Sequence, residues 1–489
     1  MLISKLFIIV FVSLTSLSQA SNILVMMPIG GQSHKITFNS IITQLANRGH
    51  NITVFSPFIF KQNVKNIILK TATSEDTVKS ILQFINTNPI ILFSTFKNLI
   101  TSCCKSSLEN SEFKEIIVSN QQFDAVIITS FFNECTLMLS SLLSKVIIQV
   151  AGGPMFPWMF LPVTQPPSFV PNPLWPVTDK MTFLERTYNA INSISVKMMS
   201  HYHLLGDIES TVWQHYPKAP SIAEAEKRVA FVLQNSDPVL SGPNPSLPHI
   251  IDIGGLHCED AKPIPRDLND FIETSGDHGF ILFSLGSNVK SKFLPDDKKQ
   301  SFLKALARLN QTVIWKYEDD LKETPKNVLV RKWLPQQDLL GDNRARLFIS
   351  HGGLLSLQEA VYHRVPIVGI PVFTDQPGNI ARVVQLHIGV QLLYNDITEE
   401  NVFNAITKIL NDESYTRNVK KYSSIFRDQP EKPSEKAAFR VEYAIRHSGE
   451  NLLLKANNSF NLFIFYSVDV ILFFITIIVI SCVIIKKLY

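Results

Sequence analysis

The sequence predicts an α/β protein made of two doubly wound parallel-sheet domains with one membrane-crossing helix behind them. Three observations carry this. The chain has 489 residues, too many for one ordinary domain at roughly 150 residues each. In both halves, short apolar runs alternate with stretches of helical period, the pattern of parallel βαβ units. Residues 462 to 485, LFIFYSVDVILFFITIIVISCVII, are interrupted only by Asp469 and can span a hydrocarbon core of about 30 Å.

From the start, residues 1–20 have Lys5, an apolar stretch from Leu6 to Val12 and a small-residue end at Ala20, the pattern of a cleaved secretory signal. NILVMMP then reads as a strand and IGGQSHK as a loop. ITFNSIITQLANRGH reads as a helix, with Ile41, Ile42, Leu45 and Ala46 on one face and Gly49 as its stop. NITVFSP is the second strand. The Pro-rich stretch 152–176 suits a lid or substrate wall, and Phe156, Trp158, Phe160 and Trp175 are candidates for that wall. Residues 241–267, rich in Pro and Gly, read as the hinge.

The same grammar returns in GFILFSLGS, KKQSFLKALARL, TVIWKYE, VLVRKWLP, RLFIS, LLSLQEAVYH and PIVGIPVF. The domains expected are 21–250 and 251–435, then a helical and juxtamembrane segment 436–460, a span 461–485 and a tail 486–489. SEKAAFRVEYAIRHSG, before the span, is helical, and it either packs on the body or leads to the membrane. Lys486 and Lys487 place the tail in the cytosol and the bulk of the chain across the membrane. The final KKLY matches a dilysine retrieval signal of the endoplasmic reticulum.

Composition excludes some classes. The 46 basic and 42 acidic residues are spread without long runs, so no track for nucleic acid is expected. The five cysteines include Cys482 in the span and the adjacent Cys103 and Cys104. They show no paired framework or metal spacing, so neither an essential disulfide nor a zinc site is expected. Asn51 and Asn310 are glycosylation sequons.

The chemistry concentrates in HGGLLSLQEA, residues 351–360. A strand ends there and a helix begins, whose free N–H groups and dipole favour an anion. Gly352 and Gly353 let the anion approach the backbone, His351 can donate to it, and Glu359 lies within reach of a ribose diol. WLPQQDLL upstream supplies Trp333 as a flat surface for a base and Gln336 for its edge. PVFTDQPGN downstream brings Asp375 and Gln376, a pair suited to sugar hydroxyls.

These motifs and their spacing resemble the signature of the UDP-glycosyltransferases, which include the glucuronosyltransferases. IGGLHC, FSLGS, TDKMTFLERTYN and VEYAIRHSG extend the resemblance over nearly the whole chain. It implies a GT-B-like fold, two Rossmann-like domains facing a cleft, with the acceptor in the first and UDP-glucose or UDP-glucuronate in the second. It implies no metal and no cofactor beyond that co-substrate, and a single-pass enzyme of the endoplasmic reticulum that conjugates small lipophilic molecules, as in detoxification. Self-association stays open. On the family pattern Trp333 and Gln336 meet the uracil, and His351, Gly353 and Ser287 the diphosphate, with Ser356 a further holder of the phosphates where Leu355 has replaced the usual Asn. Glu359 meets the ribose, Asp375 and Gln376 the sugar, and His34 is the general base of an inverting transfer.

Four positions depart from that pattern, one of them Arg364, where a Gly is usual and which reads as a surface change at a helix end. Thr129 stands where an acidic partner of the histidine is usual, with Glu134 the nearest carboxylate. Leu355 replaces an Asn beside the diphosphate. Asn244 replaces an Arg associated with the donor's charged side, which favours glucose over glucuronate. Loss of the acidic partner also allows another reading, an impaired UDP-sugar-binding protein acting as sensor or partner subunit.

Overall fold

The run NILVMMP folds as β1 (Asn22–Met26), and its residues are buried on both faces: Leu24 and Met26 enter one core cluster, Ile23 and Val25 the other. Two-sided burial is why strands of a covered parallel sheet read as unbroken apolar runs. The computed structural model describes residues 20–69, 89–132, 134–154, 166–172, 175–203, 205–287, 290–321, 323–449 and 467–488. Residues 1–19 of the expected signal, the wall candidates Phe156, Trp158 and Phe160, and the upstream end of the expected span lie outside these.

In the first sheet β2 (Asn51–Ser56), β3 (Lys65–Ile68), β4 (Ala125–Thr129), β5 (Ile147–Ala151), β6 (Val229–Gln234) and β7 (Ile250–Asp252) join β1 in the order β3-β2-β1-β4-β5-β6-β7. The second sheet takes β8 (Phe280–Ser284), β9 (Thr312–Lys316), β10 (Val328–Arg331), β11 (Ala345–Ser350), β12 (Ile367–Gly369) and β13 (Gly389–Gln391) in the order β10-β9-β8-β11-β12-β13. Every pairing is parallel. The expected hinge therefore contains a strand: β7 completes the first sheet and runs past the expected boundary at 250. It is too short, and too closely flanked by Pro, to show a period in the sequence.

The helices that position the site are α1 (Gln32–Asn47), α2 (Pro89–Glu109), α3 (Glu134–Leu143), α4 (Gln336–Gly341), α5 (Leu354–Tyr362), α6 (Gln376–Gln385) and α7 (Pro433–Arg446), and α8 (Val468–Leu488) follows at the C-terminal end. In α7 the sequence left two courses open, and the structure takes one. Ala437, Ala438, Val441 and Ala444 are buried in the core of the first sheet beside α1. Glu442 of α7 meets Arg48 at 2.8 Å and His50 at 3.1 Å, so the chain returns from the second domain to clamp the first. In α8, the segment Val468–Lys486 has a mean hydropathy of 3.1 and is long and apolar enough to cross a membrane.

The cysteine pattern signalled no paired framework, yet one disulfide is present: Cys104 of α2 is bonded to Cys135 at the start of α3, with Cα atoms 5.8 Å apart. A separation of 31 residues carries no spacing signature, and the pairing exists only because α2 passes the first turn of α3. Closing such a loop in the unfolded chain stabilises the fold by about 3–4 kcal/mol on the chain-entropy account. The double variant Cys104→Ala/Cys135→Ala is expected to lose that stability in thermal denaturation under non-reducing conditions. An unchanged melting temperature would show that the bridge adds nothing.

Arg364, where the family pattern has Gly, ends α5 with φ +67°. Its N–H reaches Val361 O and the Val365 N–H reaches Ala360 O, the paired bonds of a left-handed helix end that Gly fits best. Arg364 is exposed there.

Candidate active site

Each sheet reverses its strand order once, between β1 and β4 and between β8 and β11. Ligands of such sheets lie beyond the carboxyl ends of the strands at that reversal. The two crevices face each other across a cavity of about 860 Å³. His34 and Phe131, which follow β1 and β4, line one side, while Ser287, His351, Gly353 and Ser356, which follow β8 and β11, line the other. Trp333, Gln336, Glu359, Asp375 and Gln376 share the second wall.

His34 lies in the first turn of α1, since the helix begins at Gln32 and the loop is shorter than expected. Gly31 is the N-cap, and its N–H donates to His34 Nδ1 at 3.3 Å. The ring is half-buried, tilted against Phe131 with centroids 5.2 Å apart. A Cβ on Gly152 would stand 3.5 Å from His34 Nε2, and one on Gly153 would stand 3.3 Å from Leu354 Cδ2 of the second domain. Two glycines thus separate the imidazole from the start of α5. Burial lowers the His34 pKa to about 4, so the ring is neutral at physiological pH.

Neither candidate partner of His34 is brought to it. Thr129 is buried, and its hydroxyl oxygen accepts from the Phe131 N–H at 3.2 Å. It therefore supports the aromatic ring that touches His34. Glu134 is the first residue of α3 and lies outside the cavity lining, and burial raises its pKa to about 7. Among the described residues no carboxylate pairs with His34.

The glycines of HGG have a reason beyond backbone approach. A Cβ on Gly353 would lie 2.6 Å from His351 Nε2, and one on Gly286 would lie 2.5 Å from His351 Cε1. The imidazole is held between two glycines, one from each loop. Gly352 has φ +86°, and a Cβ there would meet Ile380 Cγ1 at 2.6 Å. Burial, with Lys316 nearby, lowers the His351 pKa to about 4. A neutral His351 offers a hydrogen bond and no charge. A cationic side chain close by is Lys316, at the end of β9, whose Nζ donates to Gly286 O at 2.7 Å and pairs with Glu318 at 3.4 Å. It also lies 5.5 Å from the Trp333 ring centroid. The sequence reading missed it, although a Lys closing a strand beside the reversal was a usable signal.

Gln336 and Glu359 are joined: the Gln336 amide donates to Glu359 Oε2 and, at 3.1 Å, to Ser356 Oγ. Burial raises the Glu359 pKa to about 7. Asp375 accepts from Asn379 at 2.7 Å, and Asn379 also donates to Gly352 O at 3.0 Å. Asn379 was likewise missed, though its i,i+4 spacing from Asp375 signals the contact. Gln376 Oε1 accepts from the Val372 and Phe373 N–H groups, which leaves its amide N–H groups as the donors facing a ligand. Thr374, just before Asp375, has φ +56°, a strained conformation of the kind that gathers at binding sites.

Two expected residues lie elsewhere. Asn244 lines a small adjoining chamber with Asp179 and Arg382, and Arg382 is already paired with Asp179 at 3.4 Å. Trp175 packs edge-on against Tyr188, 4.8 Å between centroids, and does not line the cavity. Among the described residues no cluster of three or more His, Cys, Asp or Glu side chains is arranged for a metal.

A model of the family "UDP-glucoronosyl and UDP-glucosyl transferase" matches residues 22–489. The chain is 32% identical to UDP-glucosyltransferase 2 of Dactylopius coccus, over 97% of this chain and 94% of that one. It is 30% identical to human UDP-glucuronosyltransferase 2B7, over 90% and 87% respectively. Among solved structures, the glycosyltransferase of kitacinnamycin aligns with TM-score 0.60 at 16% identity, covering 87% of this chain and 99% of that one. The calicheamicin glycosyltransferase CalG4 aligns with TM-score 0.60 at 15% identity, covering 88% and 99%. The architecture is GT-B.

Proposed function

The chain belongs to the UDP-glycosyltransferase family and is a UDP-sugar-dependent transferase, and we propose that it moves glucose, with inversion, from UDP-glucose to a hydroxyl of a small lipophilic acceptor. The observation that carries this is the shared cavity, with an imidazole on one wall and the His351, Glu359 and Asp375 group on the other. With enzymatic character established for the family, the reading as a silent sensor is set aside.

In the proposed reaction the acceptor hydroxyl loses its proton to His34 as its oxygen bonds to the anomeric carbon, on the face opposite the departing UDP. Transfer to Nε2 requires the tautomer protonated on Nδ1, and hence loss of the long Gly31 contact. The diphosphate rests against the N–H groups of α5, with His351 and Ser287 donating and the Lys316 field opposing its charge. Trp333 faces the uracil, Gln336 its edge and Glu359 the ribose. Asp375 and Gln376 face the sugar. The preference for a neutral sugar over glucuronate rests on Asn244, which stands where the family pattern has an Arg associated with the donor's charged side.

The test is a panel assay: the full chain in membranes with UDP-glucose or UDP-glucuronate against phenols and hydroxylated lipids. Acceptor-dependent UDP release with UDP-glucose is expected. Turnover only with UDP-glucuronate would overturn the donor assignment.

A pH dependence follows. Glu359 must be ionised to accept from ribose hydroxyls, and its pKa is about 7, so donor KM should rise as pH falls through 7. His34 stays neutral down to about 4, so kcat at saturating donor should stay flat between about pH 8 and 5.5. A falling kcat at constant donor KM would contradict both assignments.

The catalytic part is proposed to lie in the lumen of the endoplasmic reticulum, with α8 as anchor and Lys486 and Lys487 at its cytosolic end. Asn51 and Asn310 are exposed, as glycosylation there would require.

A further inference from the structure

We propose that His257 is a positioning residue of the donor site, an imidazole fixed beneath the first turn of α5 that holds the Glu359 carboxyl facing the cleft. This rests on the assignment of Glu359 to the ribose.

The backbone that carries His257 is pinned to α4. Gln337 donates to His257 O at 3.0 Å and accepts from the Glu259 N–H at 2.9 Å, and the Lys262 N–H donates to Asp338 at 2.8 Å. The side chain is 1% exposed. Its Nε2 lies 3.2 Å from Leu355 O, and a carbonyl can only accept, so Nε2 carries the proton. The same N–H lies 3.5 Å from Glu359 Oε1. Gln336 donates to Oε2, so the carboxyl lies between that amide and the His257 ring, whose N–H is given to Leu355 O and whose Nε2 stands 3.5 Å from Oε1.

His257 does not line the cavity, so its action runs through Glu359. The buried Nδ1 has no hydrogen-bond partner. A buried polar ring left half satisfied needs a reason, since an apolar side chain would fill the space without that cost. The work done by the Nε2–H supplies the reason. The other titratable groups around this pair are few: Cys258 Sγ, 3.9 Å from Nε2, with Asp237 and Arg427 acting on that thiol. None of them offers a second N–H to Glu359.

The test uses the full chain in detergent or membranes, with UDP-glucose as probe because its esterified diphosphate does not titrate near neutrality. His257→Leu is expected to raise UDP-glucose Kd and KM about tenfold, with kcat within about twofold and acceptor KM unchanged. The pH below which donor binding weakens should move upward in that variant, because the ionised carboxyl has lost the polar ring 3.5 Å from Oε1. His257→Gln, which still donates, should recover most of both effects. If His257→Leu does not fold, His257→Phe carries the same test. Unchanged donor KM and pH midpoint, or equal losses in kcat and both KM values with no rescue by Gln, would overturn the proposal. Glu359→Gln run alongside separates the two ideas. If it leaves donor KM unchanged, the ribose assignment falls and this proposal with it; if it raises KM where His257→Leu does not, only this proposal falls.

Discussion

His34→Ala is expected to lower kcat by about 10²–10⁴-fold while UDP-glucose affinity changes by less than about twofold. The ring is the only imidazole on the acceptor side of the cavity among the described residues, and burial keeps it neutral. Its contacts are a backbone N–H, a phenyl ring and a glycine, so its removal leaves the donor wall untouched. The absence of a carboxylate partner sharpens the expectation. A carboxylate would stabilise the imidazolium formed during transfer, and without one the penalty should sit toward the lower end of that range. Steady-state kinetics with a phenol acceptor, together with equilibrium binding of UDP-glucose, check both halves. Retained turnover would move the base elsewhere.

Gly353→Ala is expected to weaken UDP-glucose binding about 10²-fold and to lower kcat further, with the fold intact. The backbone at Gly353 has φ −64°, which alanine adopts without strain, so the effect is steric. The new methyl would lie 2.6 Å from His351 Nε2 and 2.8 Å from Cε1, distances that force the ring to move. Displacing one preorganised donor from a developing anion commonly costs about 10²–10³ in rate. Gly352→Ala is a contrasting control: φ +86° and the contact with Ile380 predict a lower melting temperature as well. A Gly353→Ala enzyme with unaltered donor affinity would show that His351 does not touch the diphosphate.

Much of the second wall of the cavity was legible in the sequence because its residues are local. His351, Gly353, Ser356 and Glu359 sit on one strand–helix junction, and a strand's end and a helix's start fix their relation whatever surrounds them. The junction at Asp375 and Gln376 is of the same kind. His257 escaped notice because its contact at Leu355 is 98 residues away in sequence, whereas Asn379 and Lys316 carried local signals that went unread. Cys104 and Cys135 escaped for a plainer reason: adjacent cysteines and a long gap carry no geometric signal.

By itself the sequence determined the two parallel-sheet domains, the apolar C-terminal helix and the family, since apolar period and glycine-bearing junctions are short-range properties of the chain. Only the tertiary structure decided that α7 returns to the first domain, that β7 lies in the expected hinge, and that Thr129 supports Phe131. It alone decided that Lys316 lies against the Gly286 loop, with its Nζ donating to Gly286 O. These depend on which elements meet across sheets, and burial and steric fit between distant segments leave no trace in local spacing.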